Sequence, residues 1–172
     1  MNLIRCDQAH AGPILDIFND AILNSTALYE YKPRTPEIMA AWFETKKRGN
    51  FPVIGLVDEA DELAGFGSYG TFRAFPAYKY TVEHSVYVAA KFRGRGAGKI
   101  LLREVVRLAG EQNYHSLIGV IDSQNAVSIK LHQGLGFQHA GTIKQCGFKF
   151  GRWLDADFYQ LLLEGPRNPS DG

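Results

Sequence analysis

Apolar residues along the chain follow two rhythms. A period near 3.6 marks helices, and a period of two, or a short unbroken run, marks strands. Ile14, Leu15, Ile17, Phe18, Ala21 and Ile22 keep the helical period, and Asp7 ahead of them suits an N-cap. Met39, Trp42 and Phe43 give a second helix its apolar face; Thr35-Pro36-Glu37 opens it and Gly49 stops it. A capping hydroxyl, a proline at the first helical position and an acid in the first turn all favour a start there. Leu101, Leu102, Val105, Val106 and Ala109 form one face of a third helix, opposite Arg103, Glu104, Arg107 and Glu111. Residues 126–135 read as a fourth, stopped by Gly134 and Gly136. Strand patterns cover residues 3–6, 51–57, 63–69, 81–88, 117–121, 137–143 and 153–163. The polar turn at 58–62 joins two of them into a hairpin, and residues 24–34, which have no period, read as a loop. The order β-α-α-β-β-β-α-β-α-β-β predicts a mixed α/β fold without an internal repeat.

Composition narrows this picture. At 172 residues the chain is expected to form one domain over residues 1–164. The Pro/Gly/Ser-rich residues 165–172 are expected to be a flexible tail. A net charge of +1 creates no global field that would attract nucleic acid or an anionic membrane, so neither is expected as a partner. The N-terminus lacks the apolar core of a signal peptide and no stretch approaches ~20 apolar residues, so the expected setting is cytoplasmic. Cys6 and Cys146 have no metal-ligand or redox spacing; they read as two thiols, and no metal is expected.

The most basic stretch lies between the 81–88 strand and the third helix. Its core is Val86-Tyr87-Val88-Ala89-Ala90-Lys91-Phe92-Arg93-Gly94-Arg95-Gly96-Ala97-Gly98-Lys99. Glycines let the backbone approach a ligand and aim successive N–H groups at it, and the following helix adds the positive end of its dipole. These are the parts of a pyrophosphate cradle, helped by Arg93, Arg95 or Lys99. A P-loop would need Ser or Thr after Gly98-Lys99, where Ile100 stands, and a glycine at Arg93. A dinucleotide fingerprint begun at Gly94 ends on Lys99, and one begun at Gly96 ends on Leu101. Arg93, Gly96 and Gly98 do match R/Q-x-x-G-x-G/A, the coenzyme A loop of the GNAT superfamily.

Other segments extend this match. Thr81 to Val88, Ser123-Gln124-Asn125, Leu131-His132-Gln133, Leu135-Gly136-Phe137, and Gly147-Phe148-Lys149-Phe150-Gly151-Arg152-Trp153 occur in that order. In these the chain closely resembles the phosphinothricin and methionine sulfoximine N-acetyltransferases, from Ile4 to Leu163. The resemblance implies the GNAT acyl-CoA N-acyltransferase fold, a mixed, mostly antiparallel sheet flanked by helices. It implies acetyl-CoA as cosubstrate: Val86, Tyr87 and Val88 along the pantetheine arm, Arg93 and Gly94 through Lys99 at the pyrophosphate, and Asn125 as a further contact. It also implies a homodimer.

Amine acetylation needs a base, because an α-amine is mostly protonated near neutrality, and a donor for the developing oxyanion. The resemblance gives the base role to Glu83, just ahead of the pantetheine segment; the alternative is a strand-edge glutamate paired with a surface cation. His132 matches a histidine with a supporting role, yet among Ile129, Leu131 and Leu135 it could equally be a packed structural residue. His84 should point to the face of the strand opposite Glu83. An amino-acid carboxylate needs a cation, and Arg73 is the best candidate, since a guanidinium grips a carboxylate in two places. Lys149 is the second. Either could be a solvated surface charge instead. Tyr29, Phe72, Phe75 and Tyr78 could line an apolar pocket or belong to the core. Some phosphinothricin enzymes carry an arginine where this chain has Phe75, which favours methionine sulfoximine or methionine sulfone over the anionic phosphinate. Two rival readings stay open: a protein N-terminal or lysine acetyltransferase, and a non-catalytic coenzyme A-binding regulatory domain.

Overall fold

The computed structural model describes residues 1–171. In chain order its main elements are β1 (Asn2–Arg5), α1 (Ala11–Asn24), α2 (Pro36–Arg48), β2 (Val53–Val57), β3 (Leu63–Thr71), β4 (Thr81–Val88), α3 (Ala97–Glu111), β5 (Ser116–Asp122), α4 (Ala126–Gln133), β6 (Gln138–Lys149) and β7 (Arg152–Leu162). The strands form one sheet in the order β1-β2-β3-β4-β5-β7-β6. The β4/β5 ladder is parallel, whereas β1/β2, β2/β3, β5/β7 and β6/β7 are antiparallel. This is the mixed, mostly antiparallel sheet expected. Among the described residues no helix is long and apolar enough to cross a membrane.

Local chemistry explains the element starts. Thr35 accepts from the Ile38 amide and Pro36 takes the first helical position, so α2 begins where its sequence says. Asp7 is a cap, but of a single 3₁₀ turn over Gln8–His10; its carboxylate accepts from the Ala9 amide while its own N–H donates to His10 Nδ1. The first long helix therefore opens four residues later. On α3 Leu108, rather than Val106, completes the buried stripe with Leu101, Leu102, Val105 and Ala109.

Two compact units divide the chain: residues 1–68 with 85–104, and residues 69–84 with 105 onward. In the first, Ile14, Ile17 and Phe18 of α1 and Met39 and Phe43 of α2 pack with Val53, Val57, Leu63 and Phe66 of the sheet. In the second, Leu117, Ile121, Phe137, Leu154, Ala156 and Tyr159 are buried with Val105, Leu108 and Ala109. Near its C-terminal end, Gly165 O meets His115 Nδ1 at 3.0 Å and the Ser170 amide donates to Tyr80 Oη at 3.2 Å.

Candidate active site

The first unit holds the glycine loop. Ala90–Phe92 form a 3₁₀ turn that buries Phe92, and α3 starts at Ala97, so Ala97, Gly98 and Lys99 are helix rather than loop. Gly94 (φ 76°) and Gly96 (φ 84°) take the left-handed conformation that a side chain would strain. Gly96 O accepts from the Lys99 and Ile100 amides, which leaves the opening amides of α3 without intrahelical acceptors. Arg95 and Lys99 are exposed beside them. Arg93 is exposed as well but is committed within the fold: its Nε donates to Val88 O at 3.1 Å and its Nη2 to Asp20 at 2.8 Å. It braces the loop against β4 and α1. Lys91 likewise pairs with Glu62. The loop residues thus fit an anionic pyrophosphate, with Arg95 and Lys99 as the outward cations.

On β4 the Tyr87 ring turns inward, 5.2 Å from Phe18 and 5.5 Å from Phe66. Gly65 of β3 lies so close that an added Cβ would stand 2.6 Å from Tyr87 O. Val86 and Val88 are half-buried. Tyr29 lies half-exposed on the loop between α1 and α2.

The second unit holds the candidate acid–base residues. Glu83 is half-buried and pairs with Ile118 at the last step of the β4/β5 ladder. Burial pushes its carboxyl above the usual range, and the Arg73 guanidinium partly offsets that. Arg73 also donates to Phe72 O at 3.0 Å and lies 4.5 Å from the Phe72 ring centroid. Phe72 meets Tyr78 edge-on at 5.7 Å. Phe75 is 73% exposed. Lys149 is only 3% exposed, which excludes the solvated-surface alternative for it.

His84 and His132 are both buried, and their rings stack 5.0 Å apart. His132 Nδ1 lies 2.7 Å from Ser128 O, and its Nε2 lies 3.1 Å from His84 Nε2. A carbonyl only accepts, so His132 carries its proton on Nδ1. Its Nε2 is then an acceptor, and His84 supplies the Nε2–H. His84 Nδ1 is left as a buried acceptor with no partner among the described residues. Burial lowers both imidazoles, His84 to about 3 with a contribution from His132. Glu83 and His84 alternate on β4 as expected, and no hydrogen bond joins Glu83 to His132. His132 spends both ring nitrogens on neighbours, the behaviour of a packed residue. Sequence reasoning had no signal for the His84 contact, which depends on Gly119: a Cβ there would stand 2.8 Å from His84 Nε2 and 2.9 Å from His132 Nε2.

Asn125 caps α4 through Oδ1, which accepts from the Ser128 amide at 3.0 Å. Among the described residues no group of three or more His, Cys, Asp or Glu side chains is arranged to hold a metal ion.

The model of the acetyltransferase (GNAT) family matches residues 16–137. An L-methionine sulfoximine/L-methionine sulfone acetyltransferase of Pseudomonas aeruginosa is 44% identical over 155 residues, 90% of either chain. A solved chain from Acinetobacter baylyi superposes with a TM-score of 0.98 at 58% identity, covering 99% of this chain and 97% of that one. A phosphinothricin acetyltransferase from Sinorhizobium meliloti, solved in complex with acetyl-CoA, gives a TM-score of 0.94 at 36% identity over 99% of this chain and 94% of that one.

Proposed function

The chain belongs to the GNAT acetyltransferase family and is an N-acetyltransferase; from that premise we propose that it acetylates the α-amine of a small amino-acid analogue, with Glu83 as general base. The analogue is of the methionine sulfoximine, methionine sulfone or phosphinothricin type, as the names of its relatives suggest. Methionine sulfoximine and sulfone are favoured because Phe75 adds no positive charge for a phosphinate. The observation that carries the reading is Glu83 itself: a half-buried carboxylate with a raised pKa, an arginine nearby, and a place three residues before Val86 on one strand. A base with that pKa accepts a proton more readily than an ordinary carboxylate does.

Acetyl-CoA supplies the thioester whose carbonyl carbon an amine attacks. Gly94 through Lys99 would hold its pyrophosphate, the backbone of Val86 and Val88 its pantetheine arm, and Asn125 Nδ2 a further acceptor. Arg73 and Lys149 hold the substrate carboxylate, while Tyr29, Phe75 and Tyr78 receive the side chain. Glu83 removes a proton from the ammonium. Nitrogen bonds to the carbonyl carbon, the carbon–sulfur bond breaks, and the thiolate takes up a proton. One ammonium proton passes to solvent. The working form is a homodimer.

A thiol-release assay tests the reading with methionine sulfoximine, methionine sulfone, phosphinothricin and a peptide panel. Turnover of the free analogues, sulfoximine and sulfone ahead of phosphinothricin, is expected. Turnover of peptides alone would replace it with a protein acetyltransferase, and binding of acetyl-CoA without transfer to any amine would replace it with a binding module.

A further inference from the structure

The loop from Ser25 to Thr35 has no regular structure, yet one residue in it is held by three others. The Arg34 amide donates to Asn19 Oδ1 at 2.8 Å, and Asn19 Nδ2 donates back to Arg34 O at 3.2 Å. The guanidinium forks onto the Glu30 carboxylate, with Nε 3.2 and 3.1 Å from its two oxygens and Nη2 2.5 Å from Oε1. Its central carbon stands 3.9 Å above the Phe18 ring. The Arg34 side chain is 15% exposed and its Nη1 has no hydrogen-bond partner among the described residues. A largely buried, incompletely satisfied cation is costly for a loop that needs only to connect two helices.

Neighbouring residues give that cost a purpose. Glu30 directly follows Tyr29. Phe18, under the guanidinium, touches Tyr87, whose backbone lies between Val86 and Val88. Arg34 therefore ties the stretch carrying Tyr29 to α1, and through Phe18 to the strand assigned to the coenzyme. The fork fixes the orientation of Glu30 as well as its distance, which a single ammonium would not do. We infer that Arg34 is a positioning residue: through Glu30 it holds Tyr29 in place against the side chain of the acceptor. This rests on the assignment of Tyr29 to the acceptor.

Steady-state kinetics on the full chain test it, with methionine sulfone as the acceptor probe. Arg34→Met is expected to raise the acceptor KM about tenfold while leaving kcat and the acetyl-CoA KM within about twofold, the pattern of lost uniform binding. Arg34→Lys should recover less than half of that loss, because charge without the planar fork does not orient Glu30. Glu30→Gln, at a more exposed position, supplies the same readout if Arg34→Met folds poorly. In a Tyr29→Ala background neither change should add to the KM. A lowered Tm with an unchanged acceptor KM in both Arg34→Met and Glu30→Gln would overturn the inference and leave Arg34 purely structural. A Tyr29→Ala variant with an unaltered acceptor KM would instead remove the assignment on which it rests.

Discussion

Glu83, the base we propose, sits in an environment that would serve that chemistry and burdens the fold. Burial raises its carboxyl and Arg73 lowers it again. The acid limb of kcat/KM should therefore fall above the ordinary glutamate range of about 4.3. Arg73→Gln, by removing the opposing charge, should move that limb higher still, which a pH–rate profile reads directly; an unmoved limb would separate Glu83 from the rate. The sign for stability follows. A carboxyl whose folded pKa is raised contributes stability below its unfolded pKa and loses it as pH rises through the folded value. Glu83→Gln should thus abolish most turnover yet raise the Tm at pH 8, a common conflict at functional sites. Only part of this residue was legible in sequence. Its position came from the match around Val86 to Val88, but its burial and the approach of Arg73, ten residues away, depend on how the chain folds.

Elements were legible where a local signal set them. Thr35-Pro36 fixed the start of α2, and β4 spans the predicted Thr81–Val88. β6 was underestimated. It runs to Lys149, beyond the predicted end at Ile143, because the ladder absorbs irregularities between His139 and Gly141 and between Ile143 and Gly147. Gly141 (φ 157°) and Gln145 (φ 51°) break the alternation that a sequence reading follows. The same limit hid Gly119, whose missing side chain makes room for two imidazoles from β4 and α4. Gly119→Ala should force His84 and His132 apart and cost about 1–3 kcal/mol, the usual penalty for overpacking. Denaturant midpoints would show it. With His84→Ala in the same chain the His132 ring can shift into the space left by His84, and part of the loss should be recovered; a strictly additive double variant would mean that the two rings do not set the cost.

For the molecule as a whole, the histidine pair makes the fold sensitive to acid. Both rings are neutral when folded, and the groups around them, Phe137, Gly119 and the Ser128 carbonyl, offer no negative charge. In an unfolded chain each titrates near 6.5. Between that value and about 3, the folded value of His84, the unfolded chain holds more protons than the folded one. Stability is complete above pH 6.5 and declines as pH falls through that window, by up to about 1.4 kcal/mol per pH unit for each histidine. Glu83 opposes the decline, since its folded form takes up a proton more readily, but it is one group against two. A chain of this length shifts by about 2–4 °C in Tm per kcal/mol, so thermal unfolding between pH 7.5 and 4.5 resolves the effect. A variant carrying His84→Asn and His132→Asn keeps uncharged, polar side chains and should unfold with a flatter pH dependence, even if its Tm at pH 7.5 is lower. Parallel curves for the two proteins would place the acid sensitivity in the carboxylates rather than in the buried pair.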